Sequence, residues 1–265
     1  MKIPVLWHLN DSYMPRLFRC IFSILSGLAT GYSYASERTK AYYSPYVKTG
    51  RFECTLPAAV DTNRFDPTTD LPPDTLLPEL YGKLVIGTVA NPSPVKNLET
   101  FLRMAAKLQE QSSQPLAFVV VGHVYESQLK YFHFLNNLVQ KFKLCIYWAG
   151  HRPDVRSLLK RFDVYVCSSK AESSPISVWE AMSMAKPIIS TDVGDVPLYV
   201  NDGENGYVVP VEDINQLLKR VLELLGDKSK RERFGIVSRR IAKQKLDTVR
   251  CGESFLEAYK ALSQT

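Results

Sequence analysis

Short apolar runs alternate with helical patterns along most of the chain beyond residue 83. Each run is five to seven residues long and is bounded by polar or turn-forming residues, which is typical of strands buried on both faces. The runs cover residues 84–90, 117–122, 144–149, 164–168, 187–191 and 206–210. Helical patterns lie between them, at residues 98–108, 129–139, 154–161, 175–184 and 213–225. This alternation predicts a doubly wound α/β domain whose parallel sheet is covered by helices on both faces.

The first 83 residues follow a less regular pattern. The predicted elements are strands at residues 3–8 and 31–35, helices at residues 16–28 and 37–43, and a further short segment at residues 52–56. Residues 61–73 are rich in proline and aspartate, which indicates a linker. A complete domain of the nucleotide-binding type needs roughly a hundred residues or more. We therefore expect a partial domain and linker at residues 1–83 and a complete domain at residues 84–265.

The apolar segment at residues 17–29 has two interpretations. Arg16 precedes it, Arg19 lies near its start and small residues follow it, so it faintly resembles a signal peptide. An aspartate and two prolines ahead of it make a poor start for such a peptide. We therefore expect a packed amphipathic helix.

Two acidic residues stand eight positions apart across a strand, a loop and a helix. Ser174 is a suitable N-cap and Pro175 fits the first helical position, which puts Glu172 in the loop and Glu180 inside an apolar helix. A carboxylate among apolar neighbours needs a partner, because an unpaired buried charge is costly. We assign the start of this helix, including Ile176, to ligand binding together with the two acids.

The distance between these acids suggests what the ligand is. At about 1.5 Å rise per residue, the helical stretch up to Glu180 covers about 8 Å. That length is close to the span from a ribose to a sugar across a diphosphate. The free amides and the dipole at the helix N-terminus favour an anion between the two acids. The pattern therefore predicts a pocket for a nucleotide sugar.

The segment from Glu172 to Glu180 also resembles the E-x7-E signature of retaining glycosyltransferases with the GT-B fold, specifically glycosyltransferase family 4 (group 1). Residues 163–169 and 180–190 are similar to the flanks of that signature. The resemblance implies that Glu172 binds hydroxyls of the donor sugar and Glu180 binds the ribose. It also implies transfer from a nucleoside-diphosphate sugar with retention at the anomeric carbon. Neither a side-chain nucleophile nor a metal or other cofactor is expected.

A second segment, residues 89–97, follows a strand and opens a helix. It is similar to the family segment whose arginine and lysine bind the diphosphate, which implies that Lys96 neutralises the leaving group. Asn91 stands where arginine is usual, so a neutral donor replaces a bidentate cation. Gly150 opens a loop that resembles the one holding the nucleobase. Arg152 in that loop either compensates by reaching a phosphate or the base, or is an idle surface residue.

Residues 1–83 resemble the second half of the family's N-terminal, acceptor-side domain. Residues 7–11 look like the strand end that carries the active-site histidine, and Asn10 aligns best with that histidine, so we assign Asn10 to catalysis. His8 is the alternative, and a simple structural role is as good an explanation for either residue. The first hundred or so residues of the family have no counterpart, including a glycine-rich loop.

The resemblance therefore predicts an α/β protein of GT-B type. A complete doubly wound C-terminal donor domain would be joined to a truncated, Rossmann-like N-terminal portion. The last helix is expected to pack back on that portion.

Composition narrows the set of partners. The net charge of +6 is spread along the chain, which suits nucleoside diphosphates or peripheral contact with an acidic membrane surface. No basic stripe with interleaved aromatic residues is present, which argues against nucleic acid. Five scattered cysteines without C-x-x-C spacing favour reduced thiols in a cytoplasmic protein and argue against zinc. We expect a cytoplasmic protein that can lie at the inner face of the membrane.

Three functions stay open at this stage. The first is a glycosyltransferase of polysaccharide or glycolipid synthesis with a saccharide or lipid-linked acceptor. The second is a non-catalytic remnant that binds nucleotide sugars, or a subunit that depends on a separate N-terminal polypeptide. A sugar-nucleotide epimerase fits the flanking motifs less well.

Overall fold

Two parallel sheets organise the computed structural model, which describes residues 3–264 except 73, 75 and 76. The first sheet has the strand order β1-β2-β3. Its strands are β1 (Leu6–Leu9), β2 (Gly31–Tyr34) and β3 (Phe52–Thr55), and the helices between them are α1 (Arg16–Ser26) and α2 (Glu37–Tyr43). The linker predicted at residues 61–73 is a series of turns as far as it is described.

The second sheet has six parallel strands in the order β6-β5-β4-β7-β8-β9. The strands are β4 (Leu84–Val89), β5 (Leu116–Val121), β6 (Ile146–Gly150), β7 (Val164–Cys167), β8 (Ile188–Thr191) and β9 (Gly206–Val209). The helices are α3 (Leu98–Gln111), α4 (Leu129–Phe142), α5 (Arg156–Arg161), α6 (Ile176–Ser183), α7 (Val196–Tyr199), α8 (Ile214–Leu225), α9 (Lys228–Ile241) and α10 (Thr248–Ser263). The predicted α/β fold with a doubly wound parallel sheet is confirmed.

Each face of the second sheet carries its own apolar core. On β4, Val85 packs into the cluster that includes Trp179 of α6, whereas its neighbour Ile86 packs into the cluster that includes Phe101 of α3. This alternation follows from the two-residue period of a strand. Because helices cover both faces, nearly every strand position is apolar, which is why the runs were visible in the sequence.

The chain end returns to the first sheet. Val60, after β3, donates its N–H to the carbonyl of Leu246 at 2.8 Å and pairs with Asp247 just before α10. Further along, the ring of Phe255 on α10 lies 6.1 Å from the ring of His8 on β1. The chain end therefore contacts both the segment that follows β3 and the first sheet.

Two local predictions are wrong. Ser174 is not the N-cap of α6, because Pro175 occupies that position and the Ser174 hydroxyl is engaged elsewhere. The helix at residues 16–28 forms, but it does not pack through its apolar side. No helix among the described residues is both long and apolar enough to cross a bilayer.

Candidate functional site

The order of the second sheet places a crevice between β4 and β7. From these two central strands the chain continues towards opposite edges, so the loops after them diverge at the carboxyl ends, where α/β sheets bind ligands. Lys170 donates its backbone N–H to the carbonyl of Val95 at 2.7 Å, and the Ser168 hydroxyl donates to the carbonyl of Asn97 at 3.2 Å. These bonds tie the Lys96 loop to the Glu172 loop.

A cavity of about 460 Å³ opens at this crevice. Its walls come from the loops after β4, β5, β6 and β7 and from the first two turns of α6. The structure brings eight of the ten predicted site residues together here: Asn91, Lys96, Arg152, Glu172, Ser174, Pro175, Ile176 and Glu180. The other two predicted residues, Gly150 and Asn10, do not line the cavity.

Lys96 and Glu172 form an ion pair across the crevice. The Lys96 Nζ lies 2.6 Å from Glu172 Oε1, and the Ser169 hydroxyl donates to the same oxygen at 2.8 Å. Both side chains are only partly exposed, so this pair is less screened than a surface pair. A cation and a carboxylate are thereby held together in the wall of the cavity.

Glu180 differs from Glu172 in its hydrogen-bond partners. Among the described residues, no side chain or backbone amide donates a hydrogen bond to its carboxylate, although it lines the cavity. Burial raises its pKa to about 7, while the positive charge of Arg64 opposes that shift and the charge of Asp154 adds to it. An ionised Glu180 therefore has no hydrogen-bond donor among the described residues, and a ligand hydroxyl could provide one.

The start of α6 lies between the two acids. By helix geometry, the first amides, those of Ile176 and Ser177, have no acceptor inside the helix. Pro175 is buried, whereas Ile176 is half exposed at the cavity wall. The Ser174 hydroxyl accepts hydrogen bonds from Ala58 N–H at 2.9 Å and from the Trp179 indole at 3.1 Å. Ser174 thus holds the loop in place.

Asn91 and Arg152 are both occupied by protein contacts. The Asn91 side-chain carbonyl accepts the backbone N–H of His123 at 2.8 Å. The Arg152 guanidinium pairs with Asp74 through Nε at 2.7 Å and also donates to the carbonyl of Ala149. Asp74 therefore holds Arg152 against the protein, so the idea that Arg152 replaces the missing phosphate-binding arginine requires this ion pair to open.

Gly150 is the last residue of β6 and positions the loop that carries His151 and Arg152. Its carbonyl accepts the N–H of Gly122 at 3.1 Å. This bond joins the loop after β6 to the loop after β5. The glycine itself does not line the cavity, whereas the two residues that follow it do.

Asn10 lies just beyond β1, outside the cavity. Burial lowers the pKa of His8, and the neighbouring Asn10 side chain partly opposes that shift. The His8 Nδ1 lies 2.8 Å from the Ser33 hydroxyl. The catalytic role assigned to Asn10 stays a prediction.

Sequence reasoning missed several residues that shape the cavity. His123 and His151 both line it, with ring centroids 6.0 Å apart, and Tyr125 packs on His123 at 4.5 Å. Their position directly after β5 and β6 is the signal that could have identified them, because carboxyl ends of parallel strands converge. Ser169 and Asp74 could not be found in this way, because each acts only through its contact with another site residue.

A glycine permits the close approach that places Glu172. Gly194 has φ of +50°, and a Cβ there would lie 2.0 Å from the carbonyl oxygen of Ser173. The N–H of Asp195 then donates to that same carbonyl at 3.0 Å. The loop after β8 therefore supports the loop that carries the first acid.

The first sheet docks beside the same loops. The Asp195 carboxylate accepts the backbone N–H of Glu37, at the start of α2, at 3.0 and 3.2 Å. Thr39 donates its hydroxyl to that of Ser173 at 3.2 Å. Burial raises the pKa of Asp195 to about 6, and its hydrogen bonds from the α2 amides oppose the shift. Helix α2 is thus fixed directly against the Glu172 loop.

The pair of parallel sheets and the cavity at the switch point define the molecule as an α/β protein of GT-B type. Its likeness to solved structures agrees with this class. The Anabaena HepE protein in complex with UDP and glucose superposes with a TM-score of 0.85 at 19% identity, over 97% of this chain and 71% of that one. A sucrose-phosphate synthase of Thermosynechococcus elongatus gives a TM-score of 0.81 at 19% identity, over 96% of this chain and 63% of that one.

Sequence comparison gives the family. The profile described as "Glycosyl transferases group 1" matches residues 78–240, and the chain belongs to this family. Spore coat protein SA of Bacillus subtilis is 29% identical over 189 residues, which are 68% of this chain and 50% of the relative. An Escherichia coli enzyme named UDP-Gal:alpha-D-GlcNAc-diphosphoundecaprenol alpha-1,3-galactosyltransferase is 27% identical over 65% of this chain and 45% of its own length. The chain thus spans about half the length of these relatives.

Proposed function

We propose that the cavity binds a nucleoside-diphosphate sugar and that the protein transfers the sugar to an acceptor with retention at the anomeric carbon, as in glycosyltransferase family 4. The observation that carries this proposal is that Lys96, the start of α6 and Glu180 line one cavity, where no described residue donates a hydrogen bond to the Glu180 carboxylate. The Lys96 cation and the first amides of α6 are suited to binding the diphosphate. The Glu180 carboxylate is suited to accepting hydrogen bonds from the ribose hydroxyls. Glu172, beside Lys96, suits the hydroxyls of the sugar.

The residues act by positioning and by charge. The diphosphate leaves with the bonding electrons while Lys96 and the α6 amides stabilise the negative charge that develops on it. The acceptor hydroxyl attacks the anomeric carbon from the face that the diphosphate leaves, and its proton passes to the oxygen of the departing diphosphate. Glu172 and Glu180 hold the sugar and the ribose in place for this attack. No metal or other cofactor is part of this proposal.

The identity of the base is proposed from the relatives. HepE was solved with UDP, and the galactosyltransferase is named for a UDP-linked donor. We therefore propose a UDP-sugar as the donor and a saccharide or lipid-linked saccharide as the acceptor, in polysaccharide or glycolipid synthesis. Scattered free cysteines are consistent with work in the cytoplasm, where both substrates would be reached at the inner face of the membrane.

Titration calorimetry with UDP tests the proposal. Glu180→Ala removes a charged hydrogen bond worth about 1.5–3 kcal/mol, so affinity should fall roughly ten- to hundredfold. Glu110→Ala, on the exposed side of α3, serves as the matched control and should bind as the parent does. An unchanged affinity in the Glu180 variant would refute the assignment.

A second candidate is nucleotide-sugar binding without transfer. Asn91 in place of the usual arginine and Arg152 held by Asp74 favour it. Hydrolysis of UDP-glucose by the purified chain separates the two candidates. Slow release of glucose supports the enzyme, whereas binding with no turnover of any UDP-sugar supports the binding protein.

A further inference from the structure

Helix α1 packs on the protein through its more polar side. Ser26 is buried, and Arg19 and Phe22 are half-buried, so the side facing the protein follows helical spacing. The Phe22 ring lies 5.6 Å from that of Trp7 and 5.2 Å from that of Tyr43. Arg19 donates from Nε to the carbonyl of Met14 at 3.3 Å.

The opposite side of α1 is apolar and faces outward. We call this side, together with Leu28 just after the helix, the outer stripe. Its residues on α1 are Leu17, Phe18, Ile21, Ile24 and Leu25. These side chains are between 45% and 79% exposed. An amphipathic helix of a globular protein normally turns its apolar side inward, so the orientation of α1 is inverted.

Exposed apolar surface is concentrated in this region. Of the 20 large hydrophobic side chains that are exposed among the described residues, nine lie within residues 3–28. The exposed fractions of the six outer-stripe side chains correspond to an area on the order of 700 Å². This area is larger than the apolar patches of about 300–600 Å² on a typical monomer. This area is close to the roughly 800 Å² that each partner buries in a standard interface.

Strand β1 adds a free edge next to the outer stripe. The carbonyls of Val5 and Leu9 accept hydrogen bonds from the β2 side, at 3.3 Å from Gly31 N–H and at 2.9 Å from Ala35 N–H. Backbone groups alternate between the two edges of a strand, so those of Leu6 and His8 point away from β2. Since β1 ends the strand order of its sheet, no described strand pairs with them.

We propose that the outer stripe and the free edge of β1 together bind a polypeptide segment of βα type, which adds a parallel strand beside β1 and lays an apolar helix face on α1. A strand satisfies the backbone groups of Leu6 and His8, and a helix covers the outer stripe. The surface thus matches a further unit of the same fold. This inference does not depend on nucleotide binding.

The solved structures with the same fold support this occupant. HepE matches 97% of this chain, yet this chain covers 71% of HepE, and the sucrose-phosphate synthase is covered to 63%. Their fold therefore continues beyond the part that is matched here. The outer stripe and the β1 edge are where this chain exposes surface of the kind that such a continuation would bury.

A lipid surface suits the same features less well. Lipid cannot hydrogen-bond the free edge of β1. Interfacial helices are rich in lysine and arginine around their apolar face, whereas α1 has two arginines, one of which, Arg19, is turned towards the protein. A protein partner explains both the apolar stripe and the strand edge.

Co-expression tests this inference. The probe is the polypeptide translated from the DNA directly preceding this chain's coding sequence, produced as a separate chain. We expect a 1:1 complex in sedimentation velocity, with amide exchange at Leu6 and His8 slowed at least tenfold. Ile21→Glu combined with Ile24→Glu should abolish the complex. Ile236→Glu, at an apolar residue of α9 that is equally exposed, should leave it intact.

Several results would overturn the inference. These are no complex with the probe, or a complex that survives the double substitution. Self-association that the double substitution removes would assign the surface to a second copy, and binding to phosphatidylglycerol vesicles that it removes would assign it to lipid. Calorimetry with UDP on the same variants keeps the proposals separate, because the donor cavity should bind UDP equally in the parent and the α1 variants.

Discussion

Glu180 shows how a single residue can be kept for a ligand at a cost to the fold. Its carboxylate lies in the cavity without a hydrogen-bond donor among the described residues, and burial raises its pKa to about 7. The folded protein therefore resists ionisation of this group. A bound ribose would supply the missing donors, so we infer that the unfavourable charge is retained because binding relieves it.

The stability of a Glu180→Gln variant should depend on pH in a defined way. The pKa is raised from 4.5 to about 7 in the folded state, so below pH 4.5 the group is neutral in both states. As pH rises from 4.5 to about 7, the group ionises more readily in the unfolded state and the parent loses stability. Above pH 7 the loss is constant, on the order of 1–3 kcal/mol. Urea unfolding should show the variant more stable at pH 8 and equal to the parent at pH 4. Equal stabilities at pH 8 would contradict this account of Glu180.

A Lys96 variant should separate the binding of the phosphates from the binding of the base and ribose. Lys96→Met removes the cation and leaves Glu172 without its counter-ion, so UDP affinity should fall about ten- to hundredfold. Uridine, which has no phosphate, should bind the variant and the parent equally in calorimetry. Lys107→Met on the exposed side of α3 is the control. A comparable loss of uridine binding would mean that Lys96 supports the cavity rather than the diphosphate.

At the scale of elements, the loop between β7 and α6 depends on contacts from outside the segment. Ser174 accepts from Ala58 and Trp179, and Gly194 lies against the carbonyl of Ser173. The prediction of Ser174 as N-cap failed because residue type alone cannot show that the backbone N–H of Ala58, far away in sequence, donates to the same hydroxyl. Helix α6 itself was predictable, because its run of apolar residues is typical of a helix that packs on a buried sheet.

The contact at Gly194 can be separated from its backbone conformation. Gly194→Ala combines a left-handed φ with a Cβ that meets Ser173 at 2.0 Å, whereas Gly203→Ala has the unfavourable φ of +81° and open space around it. Strain of this kind costs about 1–3 kcal/mol. We expect Gly194→Ala to lose at least about 1 kcal/mol more in urea unfolding than Gly203→Ala, because its clash adds to the strain. UDP affinity should fall only in Gly194→Ala, because its clash would displace the loop that carries Glu172. If both variants change UDP affinity equally, this displacement does not occur.

At the scale of the whole molecule, Asp195 joins the two sheets. Its buried carboxylate accepts the Glu37 N–H, and burial raises its pKa to about 6 from 3.8. Its charge therefore lowers stability as pH rises from about 4 to 6, whereas its oxygen stabilises the start of α2. The same residue thus makes opposite contributions through charge and through hydrogen bonding.

Two substitutions at Asp195 test this division. Asp195→Asn keeps an acceptor and removes the charge, so it should be at least as stable as the parent in urea at pH 8. Asp195→Ala leaves the Glu37 amide without its acceptor and should be about 1–2 kcal/mol less stable than the Asn variant. Asp70→Asn, in an exposed loop, should match the parent at every pH. If the Ala and Asn variants unfold alike, this contact between the sheets contributes nothing measurable.

The sequence predicted the architecture better than the contacts. Continuous apolar strands predicted the doubly wound sheet. The E-x7-E spacing and the resemblance of further segments to one family selected ten site residues, eight of which line one cavity. The sequence did not reveal that Asp74 restrains Arg152, that Lys96 pairs with Glu172, or that α1 is inverted. These are contacts between distant segments, and a local pattern contains no information on which partner a side chain reaches.

A crystal structure of the chain with UDP tests the central claim most directly. We expect the diphosphate within hydrogen-bond distance of Lys96 Nζ and of the first amides of α6, and the ribose hydroxyls on the Glu180 carboxylate. UDP bound outside this cavity, or bound in it with the ribose away from Glu180, would contradict the account.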